Sequence, residues 1–237
     1  SFSLLETTGT VTYAFTASDR VKDLVINGSQ TLSNIAISIY GAFTHQTTNG
    51  TTTFTAGTNA WTFAATSGSY SITNIAGFTY DFPWTFGSAS STATWTIQAN
   101  LTMGATRQLT MTNGTLDFNS KTLSAAGITI LTGTPTLANT GTAGFSTTVP
   151  FTHTSGTFTL GLNITSTSTS GYTFTAGTLT LGSYTLTTPV FSSSNSNART
   201  LNFGTGKIAL VGSATASIWN TSTNTNLTVS GTPLVES

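Results

Sequence analysis

Six carboxylates and two histidines are the acid–base groups that titrate nearest neutral pH in this chain of 237 residues. The acids are Glu6, Asp19, Asp23, Asp81, Asp117 and Glu236, and the bases are His45 and His153. Glycoside hydrolysis needs two carboxyls roughly 5–10 Å apart. Only Asp19 and Asp23 are close in sequence, with Arg20 and Lys22 between them, which predicts a solvated or inter-subunit ion-pair cluster rather than a catalytic pair. Asp81, in YDFPW, reads as a turn residue ahead of Pro83; a sugar-binding carboxylate among aromatics is the sharper alternative. Asp117 falls in the outward slot of a strand and is expected at the surface. No catalytic residue is assigned, and the chain is read as non-enzymatic.

Metal and cofactor chemistry finds no better footing. There is no Cys, hence neither a thiolate ligand nor a disulfide. His153 occupies a slot held by apolar residues in sister segments and is expected as a hydrogen-bonded core histidine. The alternative is a metal on the threefold axis of a trimer, one histidine from each chain. His45, in FTHQTTNG, reads as a loop residue. The Gly-Gly-x-Gly-x-Asp calcium repeat is absent, and GTGK at 204–207 lacks the P-loop spacing and its helix. The reading is no cofactor and no metal.

The elements that must position any site follow from composition. Charged residues are 5% of the chain and the formal net charge is zero. A nucleic-acid surface needs clustered Lys and Arg. The six here, Arg20, Lys22, Arg107, Lys121, Arg199 and Lys207, are scattered, so no nucleic acid is expected. No apolar run reaches the length of a membrane-spanning helix. Hydrophobic residues make up 37% and aromatics 11%, enough to build a core. Thr supplies about a quarter of the chain; it suits pleated surfaces, as Gly suits turns. An all-β protein is predicted.

One template, Φ-x-Φ-x-x-Gly-x-Φ-x-Φ with Φ apolar, recurs in five segments: LTMTNGTLDF, ITILTGTPTL, FTHTSGTFTL, YTFTAGTLTL and LNFGTGKIAL. They start at 109, 128, 151, 172 and 201, leaving spacings of 19, 23, 21 and 29 residues. Each reads as two short strands joined at a glycine corner, with Gly114, Gly133, Gly156, Gly177 and Gly206 as bends at positive φ. Coils of this size cannot bury their own apolar face, and stacking joins those faces into one core. The predicted fold is a β-solenoid; a tandem β-sandwich is the competing architecture. FAATSGSYSI fits the template upstream, and TTTFTAGTNAW fits in part. Residues 1–50 are read as a cap or docking segment, 51–108 as irregular aromatic-rich coils, and 109–237 as the regular stack.

Alternation turns one face of each strand outward, and Thr dominates it. Thr152 with Thr154, Thr157 with Thr159, Thr173 with Thr175, and Thr178 with Thr180 form Thr-x-Thr pairs. Stacking would line them into uncharged ladders. These residues, with Trp84 and Trp95 as stacking platforms, are the candidate surface-recognition set, and a host-surface glycan is the candidate ligand. Ice binding by such ladders is disfavoured by the uneven coil lengths. A neutral, hydroxyl-covered surface is poorly protected against association, so a homo-oligomer, preferably a trimer, is expected.

The segments 177–212 (GTLTLGSYTLTTPVFSSSNSNARTLNFGTGKIALVG) and 217–231 (SIWNTSTNTNLTVSG) resemble Thr/Gly-rich repeats of tailed-phage structural proteins, the fibre and appendage proteins. They are also similar to repeats of some bacterial surface adhesins. The resemblance covers about 176–231 well and the earlier coils weakly. It implies a virion or cell-surface location, other virion proteins as further partners, and a stiff structural segment of a phage fibre, spike or capsid-attached fibre. A bacterial adhesin or self-assembling surface filament is the second expectation; a carbohydrate-active β-helix enzyme and an ice-binding protein come behind both.

Overall fold

The computed structural model describes residues 3–6, 11–13, 20–28, 30–32, 36–48, 50–130, 132–140, 144–213 and 218–237. The described elements are short β-strands, and all of their pairings are parallel. With the breaks after Thr52–Phe54 and Leu123–Ser124 excepted, strands pair with the strand three places later in sequence. That rule winds the chain into a β-solenoid, as the repeat predicts, and the solenoid has three sides. The first side, the principal sheet, has eleven strands from Ser3–Glu6 to Leu227–Ser230. The second, the flanking sheet, has ten, from Arg20–Val21 to Trp219–Asn220. The third side is built from three shorter sheets of three, three and five strands.

A single coil shows the order. Phe151–His153 lies in the flanking sheet, Thr157–Leu160 in the principal sheet and Asn163–Ser166 on the third side, after which Tyr172–Phe174 re-enters the flanking sheet. Parallel sheets are usually covered on both faces and read as unbroken apolar runs. Here only the inner face is covered, so the sequence alternates. Each flanking strand from Ile37–Ile39 onward that has three residues turns its outer two inward and its middle one outward.

Two apolar columns therefore run inside the flanking sheet. One passes Ile37, Trp61, Trp84, Leu109, Ile128, Phe151, Tyr172, Phe191 and Trp219. The other passes Ile39, Phe63, Phe86, Met111, Ile130, His153 and Phe174. Nearly all are fully buried, and the core is one continuous cluster. The strands of 20–50, 51–108 and 109–237 enter the same two long sheets.

Four of the template copies mark the corner between flanking and principal strands, and there Gly114, Gly133, Gly156 and Gly177 have positive φ. They also stack closely: a Cβ on Gly177 would lie 2.2 Å from the carbonyl oxygen of Gly156. The fifth copy is out of phase. Arg199–Asn202 is a principal strand and Lys207–Leu210 a third-side strand, so LNFGTGKIAL spans the next corner. Gly206 is therefore not a bend at positive φ; Gly204, at φ 56°, is. Gly206 is required for closeness instead, since a Cβ there would sit 2.4 Å from the oxygen of Tyr184. The true flanking strand after Tyr172–Phe174 is Phe191–Ser192, which removes the anomalous spacing of 29. Gly133 also differs from its sisters. Leu116 pairs with Leu137, two residues beyond the template's register, and the slip of two keeps the same face inward.

Candidate functional site

The outward slots line up as expected from stacking. In the flanking sheet one column runs Ser38, Thr62, Thr85, Thr110, Thr129, Thr152, Thr173 and Ser192, in register from strand to strand. Arg20 lies below it and Asn220 above. In the principal sheet Thr94, Thr115, Thr136, Thr159 and Thr180 form a second column. Thr157, Thr178, Thr200 and Thr228 form a third beside it. Neighbouring strands are about 4.8 Å apart, so each column offers a hydroxyl and a methyl at every step. Uneven coil lengths do not disturb it, because extra residues are absorbed at the corners and on the third side. The objection to a regular ladder drawn from coil length therefore fails. The flanking face carries a single column, since each three-residue strand there turns out one residue, whereas the principal sheet carries two side by side.

The structure divides the predicted recognition set. Thr152 and Thr173 share the flanking column, while Thr157, Thr159, Thr178 and Thr180 lie on the principal sheet. Thr154 and Thr175 belong to the corner. The backbone N–H and hydroxyl of Thr154 both donate to the Ile130 carbonyl at 2.9 Å, and the N–H of Thr175 donates to His153 O. Thr112 does the same two corners before Thr154, its hydroxyl reaching Phe86 O at 3.0 Å.

Trp84 and Trp95 are not surface platforms: both are 0% exposed. Alternation sends them inward, where Trp84 packs against Phe43, Phe63, Tyr80, Phe82 and Phe86. Their burial removes glycan stacking by either ring.

Several of the charged and titratable groups serve the fold. Asp117 is buried rather than exposed. The chain turns the corner directly after it, with Asn119 and Ser120 at positive φ, and strict alternation stops. Its Oδ1 accepts the N–H groups of Asn119 and Thr140, each at 2.8 Å, and its Oδ2 accepts the Thr140 hydroxyl. Asp81 is more than a turn residue, since its Oδ1 holds Arg107 Nε at 2.7 Å. Asp19 lies outside the described residues; Asp23 Oδ1 accepts the N–H of Ala42 at 2.8 Å.

His45 lies in the strand Phe43–Gln46, buried, not in a loop. Its Nδ1 is 2.9 Å from the Tyr80 hydroxyl. His153 is the core histidine expected, with Nδ1 3.2 Å from Tyr172 Oη and Nε2 3.3 Å from Gly156 O. Burial lowers the pKa of both from 6.5 to about 4, although the Gly156 and Ser155 carbonyls pull His153 back upward. The same burial raises the Tyr80 and Tyr172 phenols. Full burial also keeps His153 from meeting its counterparts in a trimer, so the shared metal site is excluded. Arg199 is the residue the sequence reading missed. It is buried, and its guanidinium donates to the carbonyls of Ser193, Asn195, Asn197, Thr223 and Thr225. A lone Arg in a neutral Ser/Asn loop, SSSNSNAR, is the signal that could have found it.

Among the described residues no three His, Asp or Glu side chains gather in a metal-binding group, and no helix is long and apolar enough to cross a membrane. What the surface does offer is repeated, uncharged hydrogen bonding from a rigid backbone. No family model matches the chain, and no curated protein or solved structure matches it.

Proposed function

We propose that this chain is a non-enzymatic structural segment of a virion appendage, a phage fibre, spike or capsid-attached fibre, that acts as a stiff spacer and meets the host surface through its threonine columns. The observation that carries this reading is the principal sheet's uninterrupted parallel pairing from Ser3–Glu6 to Leu227–Ser230, clothed outside in neutral hydroxyls. A rod of stacked coils resists bending because its coils are strand-paired along two continuous sides and, in three stretches, along the third. Its outer faces carry recognition by repeated weak contacts, the kind a glycan accepts, rather than by a charged pocket.

Immunogold labelling with an antibody to this chain tests the reading, applied to purified virions and to the cells that produce them. Label along an appendage is the expected result. Label confined to the cell envelope transfers the same spacer role to a bacterial adhesin or surface filament. Label in neither place overturns both.

A further inference from the structure

Unlike the two long sheets, the third side is interrupted. Its first sheet stops at Thr52–Phe54 and its second starts at Thr79–Tyr80. Residues 50–130 are all described, so this break belongs to the chain itself. Across it Gly57 N–H donates to Asp81 O at 2.9 Å, and aromatic rings fill the gap. Phe54 meets Phe78 at 5.5 Å and Tyr80 at 5.8 Å between ring centroids. Tyr80 is fully buried, whereas Phe54 and Phe78 are only half-buried.

A turn, 75–78, leads into the second of these sheets. Just before it, buried Asn74 is anchored to the coil above. Its Nδ2 donates to Ala99 O and Asn100 O, each at 3.0 Å, and its Oδ1 accepts the Ala99 N–H at 3.1 Å. Beyond that anchor the turn rests on the core through Ile75, whose N–H donates to Tyr80 Oη at 3.1 Å, and through Phe78, whose ring stands on His45 at 4.7 Å with planes at 89°. Ala76 and Gly77 are exposed. Gly77, at φ 76° with nothing within 4 Å of where a Cβ would lie, gives the turn a residue free to change its backbone angles.

Tyr80 couples this turn to His45. Its oxygen takes the Ile75 N–H, so its own proton points to His45 Nδ1, 2.9 Å away, and the neutral imidazole carries its proton on Nε2. That Nε2 is buried without a hydrogen-bond partner, and the rings of Phe54, Phe78 and Tyr80 surround the imidazole. A second proton on Nδ1 turns an acceptor into a donor. Tyr80 Oη then faces two donors, and its own proton loses its acceptor. On the elements packed around His45 the titratable groups are Asp23, Tyr70, Tyr80 and Asp81. Asp81 holds Arg107, Asp23 accepts the Ala42 N–H, and Tyr70 donates to Ser67 O, so the carboxylates are committed elsewhere. Burial accordingly lowers the His45 pKa from 6.5 to about 4. We propose that the turn 75–78 is an acid-opened flap: protonation of His45 undoes the Tyr80 bridge, and the turn swings out, baring Phe54 and Phe78 at the break in the third side. His153 has no such outlet, because the third-side strands Gly144–Thr147, Asn163–Ser166 and Thr185–Thr188 form one continuous sheet. The flap goes beyond the spacer reading and does not depend on it.

Hydrogen exchange of the intact chain, corrected for intrinsic rates and followed from pH 7 to pH 5, tests the flap. A histidine that titrates near 4 when covered and near 6.5 when exposed makes opening about twentyfold more frequent across that range. Protection over 75–80 is expected to fall by that factor. The fall is expected to be indifferent to dilute urea, because a flap exposes little surface. It is expected to vanish in His45→Phe, which keeps a buried ring but takes up no proton. If His45→Phe does not fold, Phe78→Ala decides: with the cover gone, protection is low already at pH 7 and changes less than about threefold by pH 5. Unchanged wild-type protection between pH 7 and pH 5 overturns the proposal. So does a fall that dilute urea deepens, or a twentyfold fall that persists in His45→Phe or Phe78→Ala.

Discussion

The two halves of the solenoid fill the same cross-section in different ways. Between residues 43 and 97 the core is a cluster of rings meeting across the prism. Phe43 touches Trp61 and Trp84 edge to face, at 5.7 and 5.9 Å with planes at 90°. From residue 151 onward the rings instead form a column along the axis. Phe151, Tyr172, Phe191 and Trp219 stack at 5.7, 5.8 and 4.8 Å with interplanar angles of 16°, 11° and 16°. The cluster buries large area and leaves the indole N–H groups of Trp61, Trp84 and Trp95 without acceptors. The column satisfies its polar atoms, since Tyr172 meets His153 and Trp219 donates to Thr221 at 3.1 Å. One backbone thus tolerates two packing solutions because each coil is stabilised mainly by its neighbours.

The largest test of that contrast is Trp84→Ala. Removing a fully buried indole costs about 3–5 kcal/mol. Hydrogen exchange is expected to show protection lost over the strands from Phe43 to Ile97 while Phe151 to Asn202 keeps theirs. Tyr172→Ala is expected to give the converse pattern. If either variant loosens the whole chain evenly, the two regions form one cooperative unit and the contrast is void.

Arg199 breaks the far end in another way. Arg199→Met strands the carbonyls of Ser193, Asn195, Thr223 and Thr225 that its guanidinium now serves, at a cost of about 3 kcal/mol. Arg199→Lys is expected to recover little, since an ammonium lacks the planar fork. Urea melts give the size of the loss, and exchange over 218–230 its place.

Acid sharpens the comparison, because each region holds one buried histidine. Both have folded pKa values near 4 against 6.5 when exposed. Between those values the unfolded chain binds more protons, so stability is full above pH 6.5 and falls as the pH drops through 4. The shift corresponds to about 3 kcal/mol for each histidine. His153→Phe and His45→Phe are each expected to remove about half of the loss in urea-derived stability between pH 7 and 4. His45→Phe costs less at pH 7, because its Nε2 has no partner now, whereas His153 uses both nitrogens. An unchanged acid limb in both variants rejects the account.

Period-two alternation made the inner columns readable from the sequence: Leu109, Met111, Phe151 and Phe174 face inward as their spacing requires. The glycine offset made one corner readable. The third side was not, because its strands differ in length and are divided among three sheets, and a ten-residue template covers two sides of three. Asp117 was misread because alternation ends where the corner begins. His45 was misread because polar flanks hid its two-residue offset from Phe43. The tryptophans obeyed the alternation that was applied to their neighbours; treating Trp84 and Trp95 as platforms ignored it.

The smallest expected effects bear on the threonine columns. Thr152→Val and Thr173→Val keep the β-branch and the fit to the pleat, removing only a hydroxyl from the flanking column. Each is expected to change stability by less than about 0.5 kcal/mol, as outward substitutions generally do. Thr154→Val removes a corner hydroxyl bonded to Ile130 O at 2.9 Å and is expected to cost about 1 kcal/mol. Chemical melts of the three variants separate two uses of one residue type. If Thr152 and Thr173 matched Thr154, the column hydroxyls would be committed to holding coils together and would have little left to offer a ligand. Near-neutral values leave those hydroxyls free to donate and accept outward, which is what a recognition face needs and what the corner threonines cannot supply.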